Sequence, residues 1–364
     1  MRALRYHGIK DLRLEHDVPE PKCGDHQVKV KRQLRWETPY LLTGRSLLVH
    51  EYFSPTFIPG KDSPHPITKE AMPVAIGHEF SGEVVEIGAK ADTSLKPGDK
   101  VAVQPTLACF SCEPCRGGHI NSCEKGGFVG LSGGGGGMTD FVCVDPQFVF
   151  KLPDNISLDV AALVEPLAVA WHGVDQYDVR PGETDALVFG AGPIGLAVIQ
   201  CLKAREARTI IVVELAKQRQ EHALHFGATH LIDPTKEDTV KRAKEITNGV
   251  GPHVALDAAG VPASLKAAAA AVKANGTIVN IAIWEKEVPF NPNLLVFGEK
   301  TYVGVLGYLQ KDFAGVIEHI ANGTLKPEKM ITGKIKIDRV PEDGFKPLIE
   351  EKDKHVKILV DCRA

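Results

Sequence analysis

Alternation of apolar and polar positions marks the first part of the chain. Gln27-Val-Lys-Val-Lys31 has period two, Gly82-Glu-Val-Val-Glu-Ile87 and Lys100-Val-Ala-Val103 follow, and Lys96-Pro-Gly-Asp99 is a turn signal between the last two. Residues 1 to about 160 therefore read as an all-β module. From about Leu187 the pattern changes to apolar strands, Ala186-Leu-Val-Phe189, Thr209-Ile-Ile-Val-Val213, His253-Val-Ala-Leu-Asp257 and Thr277-Ile-Val-Asn-Ile281. Helical stretches over 193–207, 216–227, 236–248 and 262–274 separate them. Parallel strands joined by helical crossovers make a doubly wound α/β sheet. Beyond about residue 310, Lys334-Ile-Lys-Ile337 and Val356-Lys-Ile-Leu-Val360 fit either an extension of that sheet or a return to the β module, and periodicity does not choose. The five-glycine run Gly133 to Gly137 is too short to count as low complexity.

Composition sharpens the picture. A chain of 364 residues has the length of two domains, and 43% apolar residues are enough for two cores, which excludes disordered and fibrous classes. Forty-three basic against 46 acidic residues, net charge −3 and no run of like charge argue against nucleic acid or an anionic membrane as the main partner. The expected partner is a small molecule. The longest uncharged apolar stretch, Ala186 to Ile199, is 14 residues with three glycines and Pro193, short of the ~20 that span a bilayer. The amino terminus carries Arg2, Arg5, Lys10 and Asp11 without the apolar core of a signal peptide, so a reducing, cytoplasmic location is expected. The eight cysteines then need a role other than disulfides.

Gly190-Ala-Gly-Pro-Ile-Gly195 follows a strand and opens a helix, and Glu214 closes the next strand 19 residues after Gly195, which is the dinucleotide fingerprint. Gly190, Gly192 and Gly195 allow the tight turn and the close approach of backbone to pyrophosphate. The helix that starts at Pro193 and Ile194 turns free N–H groups towards that charge. A carboxylate at Glu214 accepts from ribose hydroxyls and repels a 2′-phosphate, favouring NAD over NADP. Cys109, Cys112, Cys115 and Cys123 form CxxCxxCx7C, and four thiolates so spaced complete a closed tetrahedral zinc site. An iron–sulfur cluster uses similar spacing. A closed site holds a loop and has no open position for a substrate. Cys23, Cys143, Cys201 and Cys362 are scattered and default to small hydrophobes. His78 and Glu165 carry little signal by spacing alone; near a nicotinamide, a His and a carboxylate suit an open-site zinc.

Together Gly77-His-Glu-Phe-Ser-Gly-Glu83, Lys96-Pro-Gly-Asp99, the four-cysteine loop, Gly130-Leu-Ser-Gly-Gly-Gly-Gly-Gly137, Val164-Glu-Pro-Leu-Ala-Val169, Gly190–Gly195 and Glu351-Lys-Asp-Lys-His-Val-Lys-Ile-Leu-Val360 resemble the medium-chain, zinc-dependent alcohol dehydrogenases. The likeness is greatest to the butanediol dehydrogenases of the polyol, sorbitol-like branch. It implies a GroES-like β-rich catalytic domain from residues 1–165 and 305–364, with a Rossmann NAD-binding domain, 166–304, inserted between them. It also implies a homodimer that oxidises secondary alcohols or vicinal diols, with sorbitol-type or xylitol-type polyols as the alternative. By the same resemblance His78 and Glu165 are ligands of a catalytic zinc, Glu79 is an acid beside the metal, and His50 relays the alcohol proton to solvent.

The resemblance lapses in one segment. Between Val30 and His50 the family carries about ten residues that include a CGxCG motif supplying the first zinc ligand; here there are nineteen, Lys31 to Val49, with no cysteine. Counting back from His50 puts Arg45 or Gly44 at the vacant position. Two explanations stand: true divergence, or a misread gene segment such as retained intron over Gln33 to Val49. A protein that keeps NAD and only the four-cysteine zinc, and is catalytically impaired, is the functional alternative.

Overall fold

Two hairpin strands, β1 (Ala3–Gly8) and β2 (Asp11–Glu15), open the chain, and the alternating residues after Gln27 form β3 (Val28–Trp36), longer than the pattern predicts. The structure is a computed structural model that describes residues 1–8, 11–36, 57–284, 287–351 and 353–362. Two compact units are present: Met1–Glu165 with Leu309–Ala321 and Ile331–Ala364, and Pro166–Tyr308 with Asn322–Met330.

In the first unit, β4 (Val74–Ala75) pairs with β1. After it come β5 (Glu79–Ile87), β6 (Lys100–Val103), β7 (Thr106–Leu107), the one-turn helix α1 (Glu113–Arg116), β8 (Gly127–Phe128), β9 (Phe141–Val144), β10 (Val149–Lys151) and α2 (Leu158–Ala161). Strand β5 lies between β3 and β6, and β9 pairs with the first half of β3. The inward valines of these strands, Val28, Val30, Val84, Val101, Val103, Val142 and Val144, pack with Phe80 into one core. This is the half-buried alternation that the sequence displays, written onto a β-sheet.

The second unit begins in α3 (Val164–Val174) and continues through β11 (Asp185–Phe189), α4 (Pro193–Ala204), β12 (Thr209–Val213), α5 (Lys217–Phe226), β13 (His230–Ile232), α6 (Thr239–Ile246), β14 (Val254–Asp257), α7 (Pro262–Ala271), β15 (Thr277–Asn280), α8 (Asn293–Val296) and β16 (Thr301–Gly304). Among the described residues its strands are all parallel, in the order β13-β12-β11-β14-β15-β16. That is the 3-2-1-4-5-6 order of a dinucleotide-binding sheet, whose switch point lies between β11 and β14. The helices end earlier than the pattern predicts. Helix α4 stops at Ala204 because Glu206 turns to φ +56°, and α7 stops at Ala271 because Val272 goes extended. After α9 (Gln310–Ala321), the strands β17 (Ile331–Lys336) and β18 (Lys357–Asp361) lie in the first unit's sheet, β18 running antiparallel to the end of β3.

Candidate active site and metal centres

In the dinucleotide turn, Gly190 takes φ +86°, and a Cβ at Gly195 would stand 2.0 Å from the Gly190 carbonyl oxygen, so the turn closes only with hydrogen at that position. Above Gly192 the nearest heavy atom to an added Cβ is an Arg219 guanidinium nitrogen at 4.0 Å, which leaves backbone bare for a phosphate to approach. Pro193 occupies the first helical position and the N–H groups of Ile194 and Gly195 fall in the first turn, where helix geometry gives them no internal partner. Glu214 ends β12 beside this turn. Its carboxylate accepts from the Ala191 N–H at 2.8 Å and from the Leu215 and Ala216 N–H groups at 2.8 and 3.0 Å, which fixes it against the glycine loop. An open cradle, a helix N-terminus and a fixed acid are the donor set that a dinucleotide needs, and the residues fit NAD.

The four-cysteine segment folds around α1. Cys112 caps its N-terminus, Cys115 lies inside it, and Cys123 ends the short 3₁₀ turn Ile120–Ser122. All four sulfurs lie within 4.8 Å of one another, and the Cys112 and Cys123 sulfurs are 3.8 Å apart. Zinc–sulfur bonds of about 2.3 Å in a tetrahedron put sulfurs roughly 3.8 Å apart, the separation of the Cys112 and Cys123 pair, so the donor set fits zinc. The Ser111 hydroxyl and the backbone N–H groups of Ser111 and Cys112 hold the Cys109 thiol down to about 5, ready to ligate as thiolate. Burial pushes Cys115 up to about 12 and raises Cys123. Ala108, Ile120 and Phe148 pack against the cluster and exclude water from it.

A second cluster forms at the start of β5. His78, Glu79 and Glu165 each offer a donor atom, and these atoms lie within 4.8 Å of one another. His78 Nε2 is 4.0 Å from Glu165 Oε1. Glu79 is 1% exposed and Glu165 5%. His78 is placed by backbone: the Gly77 N–H donates to the Gly130 carbonyl at 2.7 Å, and the Gly137 N–H donates to the Gly77 carbonyl at 2.5 Å. A Cβ at Gly130 would meet that Gly77 oxygen at 1.9 Å, so the glycine-rich stretch is the packing surface against which the metal-site strand starts. Glu165 comes from the first turn of α3. One imidazole and two carboxylates are a donor set for a divalent cation.

The structure thus brings His78, Glu79 and Glu165 together, brings the four cysteines together, and sets Glu214 beside Gly190–Gly195. His50, with Gly44 and Arg45, lies outside the described residues. Sequence reasoning missed Lys357, whose ammonium is fully buried and pairs with Glu79 Oε2 at 2.5 Å. A lysine inside the apolar run Val356 to Val360 was the available signal. It also missed Arg32, buried over the Phe80 ring and donating to the Gly136 carbonyl and the Thr139 hydroxyl. Cys23 and Cys143, by contrast, face each other as neighbouring thiols.

The family model of the zinc-binding dehydrogenases matches residues 193–322, and that of the alcohol dehydrogenase GroES-like domain matches 56–154. The chain is 43% identical over 361 residues to the (R,R)-butanediol dehydrogenase of Bacillus subtilis, covering 99% of both chains. It is 36% identical over 385 residues to the (R,R)-butanediol dehydrogenase of Saccharomyces cerevisiae, covering 99% of this chain and 98% of that one. The crystal structure of the Bacillus subtilis 2R,3R-butanediol dehydrogenase superposes with a TM-score of 0.89 at 42% identity, over 100% of this chain and 99% of that one. Among the described residues no helix is long and apolar enough to cross a membrane, and the substrate of a dehydrogenase of this kind is a small-molecule alcohol. With full-length identity of this order and a GroES-like β module joined to a Rossmann sheet, the chain belongs to the zinc-dependent, NAD-linked medium-chain alcohol dehydrogenases.

Proposed function

We propose that the protein interconverts (R,R)-2,3-butanediol and acetoin, with sorbitol-type or xylitol-type polyols as poorer substrates. The observation that carries the reading is the convergence of His78, Glu79 and Glu165 at one buried point in a chain that also carries the dinucleotide turn. The relatives named for butanediol set the substrate class. Residues 1–165 with 305–364 form the catalytic module, and 166–304 bind the cofactor. Cys109, Cys112, Cys115 and Cys123 hold the structural zinc; His78 and Glu165 hold the catalytic one.

Zinc, when bound there, polarises a hydroxyl and makes its proton easier to lose, and NAD, when bound, accepts the hydride. The chain's own residues do the rest. His78 donates a ring nitrogen and must be neutral to do so; Glu165 supplies negative charge from a buried position and orients beside it. The first-turn N–H groups after Gly192 hold the pyrophosphate, and Glu214 takes the ribose hydroxyls while its charge excludes a 2′-phosphate. His50 carries the hydroxyl proton to solvent, so each turnover releases one ketone, one NADH and one proton. The enzyme works as a cytoplasmic homodimer.

The test is metal analysis beside turnover. Two metals per chain and NADH formation that depends on (R,R)-2,3-butanediol, with kcat/KM above that for sorbitol and xylitol, are expected. One zinc per chain and no turnover with any diol would leave an NAD-binding protein with the structural zinc alone. Restoring CGxCG in place of Gln33 to Val49 then separates a missing ligand from other defects, because it should add one zinc and raise activity by orders of magnitude. A mass of twice the chain in sedimentation checks the dimer.

A further inference from the structure

Cys23 and Cys143 stand apart from the other six cysteines, which are gathered in the four-sulfur cluster or, as Cys201 in α4 and Cys362 beside Leu4 and Ile337, buried in the interior. The two are 120 positions apart in the chain, and the fold brings them together. Cys143 lies in β9 opposite Lys29 of β3, and Cys23 sits just before the turn that leads into β3. The Cys23 thiol donates to the Gln27 carbonyl at 3.3 Å, the Cys143 thiol donates to the Pro21 carbonyl at 3.9 Å, and the two side chains hydrogen-bond to each other. That turn is held from its other side. The Gly88 N–H donates to the Gln27 carbonyl at 2.9 Å and the Lys90 N–H to the Asp25 carbonyl at 2.8 Å, and a Cβ at Gly88 would stand 2.1 Å from the Gly24 oxygen. The sulfurs are thus placed beside each other by fixed backbone, and they are not sealed off. Both residues are half-buried, and Cys143 lines a cavity of about 300 Å³ with Pro19, Pro21, Lys22 and Gln27.

We propose that Cys23 and Cys143 are a reversible redox site: on meeting a low-molecular-weight disulfide, the pair closes into an intramolecular disulfide that ties the entry of β3 to β9. One thiolate attacks a sulfur of the oxidant R–S–S–R, forming a mixed disulfide and releasing RS⁻. The other thiolate then attacks the protein sulfur of that mixed disulfide and releases a second RS⁻. The two protons lost by the cysteines end on the released thiols, so the chain gives up two electrons and the oxidant becomes 2 RSH. Neighbouring charges set how readily this begins. Burial raises both thiols and Glu86 adds to it; the Lys29 ammonium, itself paired with Glu20 at 2.5 Å, offsets only part. Cys23 is left above its ordinary range and Cys143 is pushed up to about 11. The pair therefore rests as a dithiol and reacts slowly at neutral pH, so a sustained excess of oxidant is needed to close it. Once closed, a bond across 120 residues restricts the unfolded chain, which makes the oxidised form the more stable one.

The experiment uses the full, zinc-loaded chain, first reduced and then incubated with excess oxidised glutathione. Free thiols are trapped with N-ethylmaleimide, and a tryptic digest without reductant is read by mass spectrometry. The expected product is the peptide Cys23–Lys29 joined to Gly126–Lys151, lighter by two hydrogens than the sum of the two. Titratable thiols in the denatured, chelated chain should fall from eight to six while the zinc content before denaturation stays the same. The thermal midpoint should rise by several degrees and fall back on reduction. Cys23→Ser and Cys143→Ser should each lose the linked peptide and the thermal shift, with retained zinc showing that they are folded; the peptide map of the unsubstituted chain depends on neither. Glutathione that caps Cys23 or Cys143 without ever giving way to the linked peptide overturns the inference. So does a chain that keeps all eight thiols, a linkage confined to Cys109–Cys123 with loss of zinc, or a thermal shift that survives in Cys143→Ser. Turnover enters none of these readouts, so the functional reading stands or falls separately.

Discussion

The two metal clusters each gather their donor atoms within 4.8 Å of one another but are built in opposite ways. Cys109 to Cys123 come from fifteen consecutive residues, so one helical turn and one 3₁₀ turn suffice to bring the sulfurs together. His78 and Glu79 come from the start of β5 and Glu165 from a helix 86 residues beyond Glu79, so their meeting depends on the whole β module and on the backbone seat at Gly130. The first cluster is made by local structure; the second is a product of tertiary structure. It follows that losing metal should unmake the first and leave the fold of the second largely unchanged.

The sharpest way to break this contrast is to remove a ligand from each. Cys115→Ser should lose one zinc per chain, lower the unfolding free energy by on the order of 5 kcal/mol, and loosen the loop enough for trypsin to cut at the surface residues Arg116 and Lys125, because binding energy at a structural zinc is folding energy. Limited proteolysis with metal analysis measures it. His78→Ala should cost about three orders of magnitude in kcat/KM, some 4 kcal/mol of transition-state stabilisation, while the thermal midpoint moves by only a few degrees. If His78→Ala unfolds the protein as Cys115→Ser does, the contrast fails. Between these lies Lys357. Its replacement by Met removes the buried cation that faces Glu79 and should cost about 3 kcal/mol, read by urea unfolding. A saturating divalent ion should recover part of that loss, because it supplies the missing positive charge.

The same contrast explains what could be read in advance. Thr209–Val213 was legible to the residue because a parallel strand buried on both faces is an unbroken apolar run. The four-cysteine site was legible because its spacing is its geometry. His78 and Glu165 were not, since single residues far apart have no spacing to read, and only likeness to a family singled them out. Strands β17 and β18 were recognisable as strands, but their partner was not, because pairing with β3 joins residues more than 300 positions apart and leaves no periodic trace. Lys357 escaped for a related reason. Within a strand pattern a lysine reads as an outward position, and nothing local reveals that Glu79 waits on the inner side.

The smallest effect tests whether acid acts on the metal sites alone. His253 and Asp185 sit together in the dinucleotide unit, away from both clusters in sequence, with the Asp185 N–H donating to His253 Nδ1 at 3.0 Å. Burial lowers His253 below its ordinary 6.5 despite the neighbouring Asp185 charge. Asp185 is raised by burial, but its hydrogen bonds to Arg208 and Thr209 and the Arg208 charge outweigh that and leave it below 3.8. A histidine with a depressed value binds fewer protons folded than unfolded, so its contribution is complete above about 6.5 and is lost as pH falls below it. The Asp185 contribution is present above 3.8 and disappears only as pH falls through the lower folded value. Urea midpoints from pH 8 to 5 should therefore drop in the wild-type chain, and His253→Gln should flatten that drop without changing metal content. Arg208→Gln, whose guanidinium is half-exposed, should cost about 1 kcal/mol at neutral pH and lose its effect in strong acid. If the midpoints instead follow metal content at every pH, with His253→Gln indistinguishable from wild type, acid stability is governed by the two clusters and the dinucleotide unit contributes nothing to it.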